Sequence, residues 1–249
     1  MKNCLRGWIR VSLCAVGLWT AQPARADVIV TFNNTVTAIN GTGNPDGFWN
    51  SVLDTSLNLQ LSLRGQTTII GTIPTSPNDG AGTFFFPAGT KPGSTKATWN
   101  YWFSINTNPS GAGTNNLGAF DFYLTFDTPT TPGNFVTPFN VLTALPDNAY
   151  GNNATLNGQG TIGTAATSAG LVLTNNIAQN SENISFSGLP TDVLGNYHFQ
   201  LFAVASGAGA NGPRLGEVDM IVNVIPEPST FVLAALGICV LLALRRRVG

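Results

Sequence analysis

The sequence predicts an all-β protein, an antiparallel β-sandwich or jelly-roll-like single domain. Several segments alternate apolar and polar residues, clusters of turn-forming residues separate them, and no segment before Thr230 combines a helical period with caps. The chain has 249 residues, of which only 9% are charged, with 28 glycines and 15 prolines. Gly, Pro and Asn supply the backbone angles of turns, so this composition suits short strands joined by turns.

The alternating segments are expected to be strands with one buried face. In LNLQLSLR the apolar row is Leu57, Leu59, Leu61 and Leu63, opposite Asn58, Gln60, Ser62 and Arg64. In TWNYWFSIN the row is Trp99, Tyr101, Phe103 and Ile105, and in AFDFYLTFD it is Phe120, Phe122, Leu124 and Phe126. NISFSG, YHFQLFAVA and EVDMIVNV continue the series, with turn clusters such as NPDG, SPNDGAG and DNAYGNN between the segments. The domain is expected to span residues 27–224, with long loops and short edge strands in the weaker stretch 128–170.

The charges are unevenly distributed. Residues 27–225 contain four basic side chains and eleven acidic ones, a net charge of about −7. Such a body offers no basic surface for a phosphate backbone, so no nucleic-acid partner is expected. Cys4, Cys14 and Cys239 lie near the two ends, which leaves the body without a disulfide framework or a thiol nucleophile.

Residues 1–26 have the three parts of a secretory signal peptide. A basic start is followed by a short apolar run, and Ala24 and Ala26 are small residues at the positions that signal peptidase reads. We therefore expect the Sec translocase and signal peptidase as partners, with the mature chain beginning at Asp27. The alternative, an uncleaved N-terminal anchor, is opposed by the short run and by the cleavage site.

Residues 225–249 read as a separate sorting segment rather than as part of the fold. Pro226, Glu227 and Pro228 interrupt any regular element, because each proline fixes φ and lacks a backbone donor. Residues 229–244 are predicted to form a transmembrane helix whose apolar part, 231–244, is about 21 Å long and short for a hydrocarbon core of about 30 Å. Arg245, Arg246 and Arg247 are expected to stop transfer and to stay in the cytoplasm.

This order of motif, apolar run and basic cluster resembles the PEP-CTERM sorting tail of Gram-negative bacteria. The resemblance implies that an exosortase, an integral-membrane enzyme, recognises Pro226, Glu227 and Pro228 and cuts near them. It implies an inner-membrane intermediate, then a cell-surface or extracellular location, and an association with exopolysaccharide-producing bacteria. The catalytic residues would belong to the sortase. The alternative is a permanent single-pass anchor in which the prolines form a spacer.

The body offers little that indicates catalysis, and we expect it not to be an enzyme. His198 is the only histidine and is predicted to lie on a strand surface. Asp121 and Asp127 share a strand face but are roughly 20 Å apart, too far for the carboxyl pair of a glycosidase. Glu182, Glu217 and Asp219 could pair across strands, which leaves a secreted hydrolase as a less favoured alternative.

Metal and sugar binding are the remaining alternatives. No cofactor is expected; Ca²⁺ is the one candidate ion, because Asp46, Asp79, Asp147 and Asn148 lie in Gly-rich loops. Trp102 and Tyr123 fall opposite the apolar rows of their strands, where they are either exposed or cover a second small core or a loop-packed cluster. A carbohydrate-binding module would use them as a flat patch for sugar stacking.

Overall fold

The computed structural model describes residues 28–68, 74–187, 191 and 193–227. The signal-peptide residues Ala24, Ala26 and Asp27, and the tail from Pro228 through Arg245, Arg246 and Arg247, lie outside the described residues. Their predicted roles stay predictions. Among the described residues, no helix has the length and the apolar character needed to cross a bilayer.

The described chain is mostly β-structure. Its strands are β1 (Val28–Asn34), β2 (Trp49–Asp54), β3 (Leu59–Thr67), β4 (Thr83–Pro87), β5 (Trp99–Asn106), β6 (Phe120–Asp127), β7 (Phe139–Asn140), β8 (Ala149–Gly151), β9 (Thr161–Ile162), β10 (Ile177–Asn183), β11 (Gly195–Ala205) and β12 (Gly216–Ile225). Two short α-helices, α1 (Val141–Ala144) and α2 (Ser168–Thr174), and 3-10 turns at Leu117–Ala119 and Ile184–Ser187 complete the fold.

The strands form two sheets. The seven-stranded sheet has the order β1-β2-β3-β5-β10-β8-β9, and the five-stranded sheet has the order β4-β12-β11-β6-β7. All pairings are antiparallel except that of β4 with β12, which is parallel. The prediction of a purely antiparallel fold is wrong at this edge. The chain turns back just before β4, where the Phe85 amide donates to the Pro77 carbonyl and Asn78 bridges Phe84, and β4 leaves this turn in the direction of β12.

One hydrophobic core lies between the two sheets. Leu59, Leu61 and Leu63 of the seven-stranded sheet are at most 1% exposed, and Phe199, Leu201 and Val222 of the five-stranded sheet are fully buried in the same cluster. The aromatic rows pack across the gap: the Trp99 ring stacks on Phe86 at a centroid distance of 5.7 Å and meets Tyr197 at 5.6 Å. The inward rows predicted from alternation in β3, β5 and β6 are confirmed, except that Leu57 lies in the turn before β3. The prediction of a strand at NISFSG is wrong, because β10 ends at Asn183 and Ile184–Ser187 form a 3-10 turn.

The helices correct the sequence prediction, which placed none before Thr230. Helix α1 begins after Asn140, whose side-chain oxygen accepts a hydrogen bond from the Leu142 amide at 3.0 Å. Helix α2 has seven residues and no side-chain cap. Elements this short show no 3.6-residue period, so pattern analysis misses them. The stretch 128–170 contains the predicted loops, the short strands β7, β8 and β9, helix α1 and the start of helix α2.

Candidate functional site

The sorting motif begins where the last strand ends. β12 pairs with β11 as far as Val224 and with β4 as far as Ile225, and the Ala88 amide donates to the Ile225 carbonyl at 2.8 Å. Pro226 and Glu227 follow directly and are exposed. Because β12 lies between two neighbouring strands, its position is fixed on both sides. The motif therefore leaves the folded body at a fixed point, with no linker before it.

Glu227 lies over the connection that follows β4. A Cβ added to Gly89, whose φ is +108°, would come within 3.2 Å of the Glu227 carboxyl oxygen. The Gly89 amide itself donates to the Thr191 carbonyl at 3.4 Å. Glycine is suited to this position because L side chains rarely adopt that backbone conformation and because the space is occupied. The first two residues of the motif thus stand against the body while remaining open to solvent.

The outer face of the seven-stranded sheet is covered, which the sequence did not predict. Arg64 is 0% exposed, and its guanidinium carbon lies 4.3 Å from the centre of the Trp49 ring and 4.6 Å from that of Trp102. It donates to the carbonyls of Pro45 and Gly47. Burial lowers the pKa of Arg64 to about 9, against a raising contribution from Asp46. A buried cation held by two indole faces therefore fastens the loop after β1 to the sheet.

Gln179, on β10, binds the same loop at a second position. Its amide nitrogen donates to the Thr37 carbonyl at 2.8 Å and to Ser104 Oγ at 3.0 Å, and its oxygen accepts from the Ile39 amide at 2.8 Å. Ser51 and Ser62 pair on the neighbouring strands at 2.8 Å. These polar side chains are buried and bonded, as buried polar groups generally are. The row opposite the leucines of β3 is therefore a second, polar packing layer.

Trp102 belongs to this layer and is part of a loop-packed cluster, not of the exposed patch that a carbohydrate-binding module would use. It is only 5% exposed, because it packs edge-on to Trp49 at 6.4 Å and beneath Arg64. Tyr123 is half-buried on β6 of the other sheet and stacks on Phe202 at 5.7 Å. The two aromatics lie on different sheets, so the predicted flat patch for sugar stacking does not form.

The predicted calcium ligands are spread over separate loops. Asp46 accepts from the Ala38 amide and from Asn157, each at 2.8 Å. Asp79 accepts from the amides of Ala81 and Thr83, and these backbone bonds lower the pKa of Asp79. Within the described ranges, no group of three or more His, Cys, Asp and Glu residues is arranged to hold a metal ion.

Asp147 and Asn148 instead meet the middle of β10. Both accept from the Asn180 amide group at 3.1 Å. Asp147 also faces Glu182: burial, together with the Asp147 charge, raises the pKa of Glu182 to about 7, while Lys96 lowers it. Burial raises the pKa of Tyr101 as well, and the Glu182 charge adds to that shift. This corner carries a carboxyl group that titrates near neutrality.

On the outer face of the five-stranded sheet, His198 and Asp219 are partly exposed, whereas Thr125, Phe202 and Val204 on the same face are buried. The structure supplies a partner that spacing could not reveal: His198 Nε2 lies 2.9 Å from Asp219 Oδ1 on β12. Gln200 donates to the same oxygen at 3.0 Å. The side chains of His198 and Asp219 are 33% and 52% exposed. The pairing follows from the β11–β12 register, in which Gln200 stands opposite Asp219.

The other acids of this sheet are engaged by backbone groups. Asp121 accepts from the Gly207 amide at 2.9 Å, and Asp127 accepts from the amides of Gly133 at 2.7 Å and His198 at 3.1 Å. Glu217 pairs with Arg214. A groove of about 720 Å³ beside α1 and α2 has one carboxyl group, that of Asp121, among its lining residues. The geometry brings no two of these carboxyl groups together across this groove.

Comparison with known protein families gives a match, and it covers the tail. Residues 224–247 match the PEP-CTERM protein-sorting motif. In comparisons with curated proteins and with solved structures, nothing matches this chain. The matched residues begin at Val224, the last residue of β12 that pairs with β11, so the match and the fold meet at the same point. The chain is thus a β-rich protein that carries a C-terminal PEP-CTERM sorting motif, the mark of an exported protein processed by an exosortase.

Proposed function

We propose that the chain is a structural protein of the cell surface or extracellular matrix, released from a membrane intermediate when an exosortase cuts at its tail. The observation that carries this proposal is the direct exit of the motif from β12. Ile225 is the last residue held in the sheet, and Pro226 and Glu227 are exposed. A membrane enzyme can therefore reach the motif while the body stays folded.

A structural role is supported by how the body uses its polar groups. Arg64, Gln179 and the aspartates of the loops bind backbone groups of the same chain. The His198–Asp219 pair is partly exposed to solvent, and its carboxylate also accepts from Gln200. General acid–base catalysis works best with groups held around a water-excluded cleft, which this pair does not have.

Two glutamate substitutions, one in the motif just after β12 and one within β12, test the sorting role. Glu227→Ala removes the carboxylate of the motif, and Glu217→Ala removes one at the other end of β12 as a matched control. We expect wild type and Glu217→Ala in the surface and medium fractions without residues 231–249. We expect Glu227→Ala in membranes with the tail retained. Processing of Glu227→Ala at the wild-type rate would refute recognition of the motif.

The matrix role is tested separately. The mature protein from the native host is sedimented with and without the extracellular polysaccharide of that host. We expect it to sediment with the polysaccharide, because a matrix protein stays with its matrix. Recovery of all the protein in the supernatant would contradict a matrix association while leaving the sorting role intact.

A further inference from the structure

The four edges of the two sheets differ in what they offer to a partner. β7 and β9 have only two residues each. The outer side of β4 is covered by the segment before it, where the Phe85 amide donates to the Pro77 carbonyl and the Asp79 amide donates to the Thr83 carbonyl. β1 has seven residues, and within the described ranges it pairs only with β2. Proteins generally keep sheet edges short or covered, so β1 is the exception.

β1 carries large apolar side chains in contact with solvent and no charge. The exposed fractions are 47% for Val28, 46% for Ile29, 58% for Val30 and 43% for Phe32. The strand VIVTFNN contains neither a proline nor an ionisable residue, the two kinds of residue that commonly stop an edge from accepting another strand. A register shift between Thr31 and Asn34 distorts only its second half. Such an edge is suited to strand addition, in which backbone hydrogen bonds supply the contact.

The hydrophobic core reaches this edge and ends there without a cover. Val52 of β2 pairs with Leu61 of β3 on one side and with Val30 of β1 on the other, so the three side chains form one row on the core face. Leu61 and Val52 are 1% and 6% exposed, whereas Val30 is 58% exposed. The five-stranded sheet therefore covers Val52 but not Val30. A strand that pairs with β1 must supply apolar side chains that continue the row.

A second copy of β1 supplies what this edge lacks. It is extended, it carries the same apolar side chains, and its own outer side needs the same backbone partners. Within the described ranges, no other strand edge of the chain is both uncovered and longer than two residues. A contact in which both copies use the same surface has a two-fold axis. With that axis perpendicular to the sheet, the two strands run antiparallel, as most strand pairs do.

We propose that the mature chain dimerises through β1, which pairs antiparallel with β1 of a second copy and joins the two seven-stranded sheets into one. With the axis at Val30, Val28 lies opposite Phe32 of the second copy, and the row of Leu61, Val52 and Val30 continues into the same row of that copy. The predicted signal-peptide cleavage leaves a single residue before β1, so the edge becomes accessible after export. The dimer goes beyond the proposed function, because sorting depends on the tail and not on β1.

Charge at the contact itself does not oppose this dimer. Asp54, opposite Val28 on β2, is buried, and Asp79 lies in the loop before β4; both accept hydrogen bonds from backbone amides. Asp27 precedes β1 in the sequence, and an antiparallel pair puts its two copies at opposite ends of the ladder. The two bodies repel each other at longer range, because residues 27–225 of each have a net charge of about −7. Salt screens that repulsion, so dimerisation should strengthen as the salt concentration rises.

The test uses the mature protein purified from strains of the native host, with its intact mass confirming both ends. Sedimentation velocity measures the dimer fraction against protein concentration at low and at high salt. Val30→Lys places a charge on each side of the two-fold axis. Ile162→Lys is the matched control, because Ile162 is 53% exposed on β9, the opposite edge strand of the same sheet. Circular dichroism checks that each variant keeps its β-structure.

Crosslinking at the same two positions does not depend on the folding of the lysine variants. Residues 27–227 contain no cysteine, so Val30→Cys and Ile162→Cys each introduce a single thiol into the mature protein. A short bifunctional maleimide joins two such thiols only where two copies bring them together.

We expect a reversible dimer in wild type and in Ile162→Lys, strengthened by high salt. Val30→Lys should weaken dimerisation about 100-fold, because two valine side chains lose their burial and two like charges come together. Val30→Cys should be crosslinked to a dimer, because residues at the axis are direct neighbours, and Ile162→Cys should stay monomeric in the same reaction.

Four results would overturn the inference. A wild-type chain that is monomeric up to about 1 mM refutes the dimer and leaves the sorting role intact. Equal dimerisation of wild type and folded Val30→Lys assigns the contact to another surface. Crosslinking of Val30→Cys that is no more efficient than that of Ile162→Cys refutes pairing through β1, whether or not Val30→Lys folds. Dimerisation only in the presence of the polysaccharide of the host assigns the edge to that ligand rather than to a second copy.

Discussion

The outer faces of the two sheets differ although their sequences alternate in the same way. On the seven-stranded sheet, the face opposite the core is closed by the loop after β1, which Arg64 and Gln179 hold down. On the five-stranded sheet, the corresponding face buries Thr125, Phe202 and Val204 but leaves His198, Gln200 and Asp219 at least partly exposed. The closed face contributes to stability, and the exposed part of the other face presents polar groups to solvent.

This difference shows what alternation does and does not encode. A period of two assigns residues to faces, but a polar face is buried whenever a loop supplies matching donors and acceptors. In the loop after β1, the carbonyls of Pro45 and Gly47 accept hydrogen bonds from Arg64. In the same loop, the Thr37 carbonyl accepts from Gln179 and the Ile39 amide donates to it. Matched substitutions on the two faces should therefore have unequal effects.

The largest effect is expected from Arg64→Ala. The substitution leaves a cavity between Trp49 and Trp102 and two carbonyl groups without their donor, which we expect to lower the free energy of unfolding by about 3 kcal/mol. Urea denaturation of the purified mature protein measures the change. Arg214→Ala removes a partly exposed ion pair with Glu217 and a guanidinium 4.1 Å from the centre of the Phe202 ring, and should cost about 1 kcal/mol. Equal losses for the two arginines would contradict the closed face.

A smaller loss is expected from Gln179→Ala. This change removes three hydrogen bonds and unfastens the loop at Thr37 and Ile39, at a cost of about 2 kcal/mol. Hydrogen exchange should show that the Ile39 amide loses its protection. Gln200→Ala on the exposed part of the other face is the matched control and should change stability by less than about 0.5 kcal/mol. Unchanged protection of Ile39 would refute the role of Gln179.

The next effect is a dependence of stability on pH through Glu182. Its pKa in the folded state is raised from 4.5 to about 7, so the folded state binds more protons than the unfolded state between these values. The contribution is fully present below pH 4.5 and is lost as the pH rises through about 7. In Glu182→Gln, the decline in unfolding free energy between pH 5 and pH 8 should be smaller. An identical decline in wild type and variant would assign it to other groups.

The smallest effect is expected from Asp219→Asn. The pair with His198 is exposed to solvent, so its loss should change the free energy of unfolding by less than about 1 kcal/mol. Thermal denaturation at pH 6 and at pH 8 measures it. A large loss at either pH would mean that this exposed part stabilises the fold as the closed face does.

The sequence predicted the part of the fold that depends on local pattern. The inward rows of β3, β5 and β6 and the end of the body near Val224 follow from alternation and from the two prolines. Contacts between distant segments could not be predicted from the sequence. Arg64 meets the loop at Pro45 and Gly47 only after the sheet forms. His198 meets Asp219 only through the β11–β12 register. The choice between exposure and a loop-packed cluster for Trp102 stayed open for the same reason, since burial of its face depends on a loop more than fifty residues away.

The central claim is that a folded β-body ends at Ile225 and that a sorting tail follows at once. Intact-mass analysis of the wild-type protein from the cell surface and the culture medium of its native host tests it most directly. We expect a mature chain that begins at Asp27 and ends at or after Pro226 but before Phe231, so that β12 stays whole. A mass that retains residues 231–249, or one that ends within β12, would contradict the account.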